Sequence, residues 1–346
     1  MNSCTQTRYK TLILLSFVMY LSLFLASFTI GRYSDVNAKT FLEILLYKGF
    51  GLGENSWNPL TEQIVFQIRM PRIIGASLVG ASLSVSGASY QALFSNHMAS
   101  PDTLGVSSGA GLGAAIAILL GLNSAMIQGM AFFVGCLSVI CAVSISNAIS
   151  KGQNVAVFLI LTGMVISSFM SAILSIVKYI ADPMDQLPAI TYWLMGSFKN
   201  ISISDNIIMS IVFICAFGVL FLIRWRMNLL IISEQESLSM GANITIIRII
   251  VIIASTLLTA SSISISGGIG WVGLVVPHIA RLIVGNDLQK VIPLSALFGA
   301  TFLLLMDNLA RYIFAAEVPI GILTAIIGAP VFFAALIRNR RTVSDD

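Results

Sequence analysis

Residues 233–248 read Ser-Glu-Gln-Glu-Ser-Leu-Ser-Met-Gly-Ala-Asn-Ile-Thr-Ile-Ile-Arg, and they interrupt a chain that is otherwise strongly apolar. Apolar runs lie on both sides, at 206–223 and at 249–280. Gly241 tolerates the positive φ of a sharp turn, and Asn243 and Thr245 are suitable N-caps for a following helix. We interpret the segment as a short helix-turn-helix at a membrane surface that receives a partner. An ordinary polar loop between two spans is the alternative.

The composition indicates a protein that is embedded in a lipid bilayer. Of its 346 residues, 57% are hydrophobic and only 10% are charged, whereas about a quarter of the residues of a soluble domain are charged. The net charge is +4 and no basic run is dense, so a nucleic-acid partner is not indicated. The prediction is an all-α, polytopic membrane protein.

The sequence lacks the patterns that catalysis or a bound cofactor would need. The four cysteines follow no metal or disulfide spacing, and the two histidines are interpreted as loop or interface residues. We therefore predict no metal site and no cofactor. No Gly-x-x-x-x-Gly-Lys-Ser/Thr motif is present, so the chain does not hold ATP in a P-loop of its own. We expect a protein that is not itself an enzyme.

Charge-free runs predict about ten membrane-spanning helices in a single domain over residues 1–346, because about 20 apolar residues cross a bilayer. The first run begins at Thr11, after Arg8 and Lys10, and it is too long for the apolar part of a signal peptide. The glycine-rich break at 267–270 separates a long helix from a short one. The predicted spans are helix 1 (11–30), helices 2 to 5 (69–180), helix 6 (206–223) and helices 7 to 10 (249–337).

An even number of spans places both termini on the same side of the membrane. We assign the two tails and the loops at 94–102, 150–154, 224–248 and 281–290 to the cytoplasm. These segments carry eleven of the 19 Lys and Arg residues, which agrees with the positive-inside rule. Both termini are therefore predicted to be cytoplasmic.

Three arginines reduce the excess of positive charge on the cytoplasmic side, because Arg69, Arg72 and Arg311 lie at the outer ends of predicted spans. One alternative is that each side chain snorkels to the headgroup layer. Arg311 also has a partner on its own helix, Asp307, one turn earlier. The functional interpretation is an outward cationic rim that receives an acidic partner protein.

Two segments of the chain are similar to each other. Residues 81–87 read Ala-Ser-Leu-Ser-Val-Ser-Gly, and residues 261–267 read Ser-Ser-Ile-Ser-Ile-Ser-Gly. The predicted helices that contain them cross the membrane in opposite directions, which is typical of the inverted repeats of transporters. Residues 75–92 are also dominated by Gly, Ala and Ser, which favours close helix packing in lipid. The sequence thus predicts a helical transporter with an inverted internal repeat.

The source of energy for such a transporter is not visible in the chain. Secondary transporters generally place ionisable residues within the membrane, but no predicted span carries a charge at its centre. We interpret the chain as a conduit that takes energy from another subunit. Two alternatives remain at this point: a secondary transporter or channel that acts without an ATPase partner, and a structural scaffold.

Five stretches resemble the permeases of type II ABC importers, the family that takes up ferric siderophores, haem and cobalamin. They follow the family's order along the chain, and only the N-terminal 60 or so residues lack a recognisable motif. The stretches are Arg69-Met-Pro-Arg-Ile-Ile-Gly-Ala-Ser-Leu-Val-Gly, Ser86-Gly-Ala-Ser-Tyr-Gln-Ala-Leu-Phe-Ser-Asn96, Ser100-Pro-Asp-Thr-Leu-Gly-Val-Ser-Ser-Gly109, Ser266-Gly-Gly-Ile-Gly-Trp-Val-Gly-Leu-Val-Val-Pro-His-Ile-Ala-Arg281 and Glu317-Val-Pro-Ile-Gly-Ile-Leu-Thr-Ala-Ile-Ile-Gly-Ala-Pro330.

The resemblance implies a ten-helix subunit in a bacterial cytoplasmic membrane. This subunit would pair with a second copy or a paralogue, bind two ATP-binding subunits at its cytoplasmic face, and receive a substrate-binding protein at its outer face. The expected cargo is a ferric siderophore, with haem, cobalamin and molybdate as alternatives. ATP hydrolysis would reside in the separate subunits.

The resemblance also assigns roles to particular residues. Docking of the binding protein falls on Arg69, Arg72 and Arg311. The cytoplasmic gate falls on Asn96 and Met98, in a segment where His97 replaces the family's usual Pro. ATPase coupling falls on the interrupting segment, at Glu234, Glu236, Leu238, Gly241, Ala242 and Asn243.

Overall fold

A computed structural model describes residues 3–31, 33, 36–51, 57–150, 155–231, 243–312 and 317–344, and the regular structure in these ranges is entirely helical. A π-helical turn joins α3 to α4, and short 3₁₀ turns precede α5 and follow α9. The helices are α1 (Ser3–Ser27), α2 (Ala38–Phe50), α3 (Pro59–Gln63), α4 (Met70–Leu93), α5 (Val106–Leu119), α6 (Ser124–Ser150), α7 (Val155–Ile180), α8 (Gln186–Leu194), α9 (Ile203–Met227), α10 (Ile244–Ser266), α11 (Val272–Val284), α12 (Leu288–Tyr312) and α13 (Ile320–Ser344).

Ten of the helices in the described ranges are apolar in the manner of membrane spans. Seven are long and apolar enough to cross a bilayer, and three are shorter apolar helices, namely α5, α11 and the stretch Ile320–Ala335 of α13. This confirms the predicted all-α polytopic fold. The three short helices have fewer residues than the roughly 20 that cross a bilayer. A charge-free run therefore does not by itself give the length of a span.

Helix α4 forms the centre of the bundle. Its most apolar window is 89% buried, whereas that of α1 is only 11% buried. A Cβ atom on Gly80 would lie 2.2 Å from the carbonyl oxygen of Gly299 in α12, and one on Gly87 would lie 1.8 Å from that of Gly273 in α11. The density of small residues in this helix therefore allows its backbone to touch two neighbours directly, which is how helices associate closely in lipid.

The side-chain contacts of α4 fix the directions of its neighbours. Ser86 Oγ lies 2.6 Å from Thr259 Oγ1, and Tyr90 Oη lies 2.9 Å from Thr256 Oγ1. As the residue numbers rise along α4 they fall along α10, so the two helices are antiparallel. The similar segments 81–87 and 261–267 thus lie in adjacent helices that run in opposite directions.

The bundle has two ends with different chemistry. Arg72 contacts Asp307 at one end of the α4–α12 pair, and this pair is antiparallel because Gly80 meets Gly299 further along. We call this the arginine end. The opposite end, which we call the loop end, carries the 94–100 loop and the N-terminal part of α1, where the Tyr9 hydroxyl donates to the carbonyl of Lys290 at 3.5 Å.

The predicted glycine break is the link between α10 and α11. Gly267 ends α10 with φ +71°, and a Cβ there would lie 2.2 Å from the carbonyl oxygen of Trp193 in α8. The amide of Ser197 donates to the carbonyl of Ser266 at 2.7 Å, and the amide of Ile320 donates to that of Gly196 at 2.9 Å. The end of α8, the end of α10 and the start of α13 therefore meet at one backbone junction.

Candidate functional site

A buried ionic cluster, made of Arg72, Asp307, Arg311 and Glu317, lies at the arginine end. Arg72 Nε donates to Asp307 Oδ1 at 2.7 Å, and Arg72 Nη1 donates to Glu317 Oε2 at 2.9 Å. Arg311 Nε lies 3.1 Å from Asp307 Oδ2, which confirms the pair predicted from their spacing on one helix. The cluster joins α4, α12 and the segment that leads into α13.

Arg69 and Arg311 also donate hydrogen bonds to backbone carbonyl oxygens at and just after the end of α1. Arg69 donates to the carbonyl oxygens of Phe28 and Tyr33, the latter at 3.2 Å. Arg311 donates to the carbonyl of Ile30 at 3.2 Å. Cationic groups at a helix C-terminus bind carbonyls that have no partner within the helix, and they complement its dipole. These contacts hold the end of α1 against α4 and α12.

The three predicted docking arginines are thus together, but their side chains turn inward. Only 4% of Arg69, 6% of Arg72 and 7% of Arg311 is exposed. Snorkelling toward the headgroups does not describe them, since they bind carbonyls and carboxylates inside the protein. Glu317, whose side chain is 31% exposed, is the more accessible member of the ionic cluster. The docking role stays a prediction.

The predicted gate residues lie at the loop end. Asn96 and Met98 are exposed, and the Asn96 Oδ1 atom accepts a hydrogen bond from the Met98 amide at 2.9 Å. Ser95 adopts a positive φ of 48°, and its hydroxyl donates to the carbonyl of Leu230 at 3.0 Å. The candidate gate loop is therefore joined to the segment that follows α9.

The predicted coupling residues Glu234, Glu236, Leu238, Gly241 and Ala242 lie outside the described residues. Asn243 is described, and of the two candidate N-caps it is the one that caps α10: its Oδ1 atom accepts a hydrogen bond from the Ile246 amide at 3.2 Å, whereas Thr245 lies within the helix. Ile231 and Asn243, the described residues on either side of 232–242, both lie at the loop end, Ile231 next to the Ser95–Leu230 contact and Asn243 at the start of α10. The chain therefore leaves and re-enters the described bundle at the end opposite the arginines.

One arginine differs from its predicted position. The predicted cytoplasmic loop at 281–290 begins with Arg281, but this residue lies in the last turn of α11 and is buried. Its guanidinium donates to the side-chain oxygen of Gln91 and to the carbonyl of Ala88 at 3.3 Å. Polar atoms of α4 thus receive this cation, and the sequence held no local sign of a pairing that spans 190 residues.

Comparison with known proteins agrees with this architecture. Residues 14–338 match the model of the FecCD transport family. MolB of Haemophilus influenzae, described as a molybdate import system permease, is 38% identical over 317 residues, which are 91% of this chain and 92% of that protein. A Helicobacter pylori protein described as an iron chelatin transport system permease is 42% identical over 277 residues, which are 80% and 83% of the two chains.

A solved structure described as a metal-chelate type ABC transporter in an inward-facing conformation is similar with a TM-score of 0.83 and 34% identity. The similarity covers 95% of this chain and 99% of that one. The fold and these similarities define the chain as a permease subunit of an ABC transporter. It belongs to the FecCD transport family, which confirms the resemblance found in its five stretches.

Proposed function

We propose that this permease carries a metal chelate, a ferric siderophore first of all, across the cytoplasmic membrane by alternating access driven by separate ATPase subunits. The observation that carries the proposal is the family match over residues 14–338. The relative described as an iron chelatin permease, at 42% identity, supports an iron chelate as the cargo. No relative named above supports a transporter that acts without an ATPase partner.

Molybdate is the second candidate cargo. The similarity to MolB extends over 91% of this chain, which is a longer match than that to the iron chelatin permease. A relative described as a cobalamin import permease is 37% identical over 286 residues. Identity at this level does not separate the cargoes, because a permease binds its substrate after a separate protein has selected it.

We further propose the sidedness of the complex. The loop end faces the cytoplasm, with both termini, and two ATPase subunits bind there through the 233–248 segment. The arginine end faces outward and receives the substrate-binding protein, and a second permease, identical or paralogous, completes the pathway. The positions of Ile231 and Asn243 at the end opposite the ionic cluster support this arrangement.

In this proposal, ATP brings the two motor subunits together, and the turn at Gly241 transmits their motion to α10. The gate residues Asn96 and Met98 lie at the same end of the bundle, next to Leu230, where that motion enters. The permease pair then alternates between outward-facing and inward-facing states.

The cargo is tested by reconstituting the permease with its ATPase and binding protein in liposomes. We expect ATP-dependent accumulation of radiolabelled ferric siderophore, and none of molybdate. Accumulation of molybdate alone would replace the first cargo with the second. Uptake that persists without the ATPase subunit, and that collapses with an uncoupler, would overturn the importer itself.

A further inference from the structure

A groove lies between α1 and α9 on the side of the bundle. Its floor belongs to α4 and α12, where small side chains such as Ala81, Ala296 and Ala300 leave space. Its walls include Tyr20 of α1 and Phe217 of α9. The cavity has a volume of about 550 Å³ and an almost entirely apolar lining. Because all four helices are membrane spans, its natural surroundings are lipid rather than water.

The dimensions of the groove limit what it can hold. Along α1 its lining extends from Ile13 to Phe24, which is about 16 Å at about 1.5 Å per residue. An almost entirely apolar groove of this length suits an extended hydrocarbon chain that lies along α1. Entry of a helix of a partner subunit is the competing outcome, and the experiment below distinguishes the two.

The α9 wall carries a stripe of stacked rings that ends in a cation. Phe213 stacks on Phe217 with ring centroids 5.0 Å apart, and Phe217 contacts Phe221 at 5.7 Å. The guanidinium of Arg224 lies 3.6 Å from the centroid of the Phe221 ring. Arg224 Nη1 donates to the carbonyl oxygen of Phe221, and within the described part of the chain the Nε atom has no hydrogen-bond partner. The stripe therefore ends in a guanidinium whose hydrogen-bonding capacity is not fully used.

The charges around Arg224 favour a negative ligand. Arg224 lies at the loop end, where Tyr9 of α1 is within electrostatic range of both Arg224 and Asp287. Asp287 is itself paired with Lys290 at 3.8 Å, and the exposed Arg226 follows in the last turn of α9. Arg224 and Lys290 thus lie near a single carboxylate, that of Asp287, which leaves net positive charge at this mouth of the groove.

We propose that the groove binds one acyl chain of an anionic phospholipid, whose phosphate lies beside Arg224. The chain fills an apolar space that would otherwise lose its dispersion contacts, and the phosphate accepts charge-assisted hydrogen bonds from the guanidinium. Basic positions between membrane helices receive lipid headgroups by the same chemistry. The lipid bridges α1, which packs mainly on α12, to α9. This site is independent of the cargo.

The test uses the full-length permease in nanodiscs of phosphatidylcholine that contain a minor fraction of phosphatidylglycerol with a diazirine in one acyl chain. After irradiation, we expect the label on the α9 stripe and on the α12 floor. Ala296→Leu places a larger side chain in the space above the floor of the groove. It should lower photolabelling by the lipid about tenfold, because each methylene excluded from an apolar site costs about fourfold in affinity. Gly218→Leu is the matched control, since a side chain at Gly218 enters open space on α9.

A second pair of variants tests the headgroup without altering the packing of the floor. Arg224→Gln should abolish the preference for phosphatidylglycerol over phosphatidylcholine while the acyl label stays in the groove. Arg226→Gln, which removes a cation on the same turn, should preserve the preference. Equal labelling of wild type and Ala296→Leu, or label spread evenly over all lipid-facing helices, would overturn the proposal. So would protein cross-links from a second copy into the groove.

Discussion

Asp307 binds two arginines at once, and the arginine end depends on it. Its buried carboxylate contacts Arg72 of α4 and Arg311 of its own helix. Asp307→Ala leaves two buried guanidinium groups without a carboxylate between them, so we expect a loss of about 3–5 kcal/mol in the free energy of unfolding. Denaturation of the purified permease in detergent measures it.

The matched control is Glu317→Gln at the partly exposed edge of the same cluster. We expect it to cost about 1 kcal/mol, because solvent screens that pair more strongly. Equal losses in the two variants would show that Asp307 is not the centre of the ionic cluster.

Gly241 tests the proposed coupling segment at the same scale. We expect Gly241→Val to leave membrane insertion and ATP hydrolysis intact but to abolish uptake, because a β-branched residue resists the positive φ that the turn predicted from the sequence requires. Uptake and hydrolysis are measured together in proteoliposomes. Ser239→Ala, a change without backbone consequence, should preserve both. Uptake at the wild-type rate in Gly241→Val would contradict the coupling role.

At the scale of elements, the contact between α4 and α11 requires glycine. A methyl group on Gly87 would collide with the carbonyl oxygen of Gly273, so Gly87→Ala should destabilise the protein by about 1–3 kcal/mol through overpacking. Gly218 of α9 faces open space, so Gly218→Ala should be neutral or stabilise by up to about 1 kcal/mol. The thermal unfolding temperature should fall in Gly87→Ala and stay unchanged or rise in Gly218→Ala; a fall of equal size in both variants would refute the close packing.

The helices could be predicted from charge-free runs, but their ends could not. Helix α1 begins at Ser3 rather than at 11, and α9 extends from Ile203 to Met227 rather than over 206–223. The Ser202–Asp205 capping box starts α9, and its last turn carries Arg224 and Arg226. A charge-free run ends at the first charged residue, whereas the helix continues past it, because Arg and Lys are good helix formers whose charged ends reach the headgroup layer.

The site could be predicted only where its partners are close in sequence. The Asp307–Arg311 pair is readable because four residues make one helical turn. The pairing of Arg72 with Asp307 joins residues 235 apart, and that of Arg281 with Gln91 joins residues 190 apart. Both pairings depend on which helices pack against α4, and a single sequence does not show which helices are neighbours. For the same reason the sequence alone favours an exposed cationic rim, whereas the three arginines turn inward.

For the complete permease, the salt dependence of the binding protein's affinity distinguishes a docking face from a face with a merely structural role. If a binding protein presents carboxylates to the arginine end, its affinity should fall as ionic strength rises from low to physiological values. Arg69→Gln should lower the affinity and flatten this salt dependence, which a loss of packing alone would not do. Lys290→Gln, a charge change at the loop end, is the control. Binding-protein titrations over a salt series measure both; an unchanged salt slope in Arg69→Gln would contradict docking at this face.

Helix α4 touches the backbones of α11 and α12 at Gly87 and Gly80, where there is no clearance for even a methyl group. Three helices in such close contact cannot slide or rotate against one another without first separating. They should therefore tilt together as one rigid unit during each transport cycle. The backbone should then bend in the short connections next to this rigid unit, at 94–100 and 267–271.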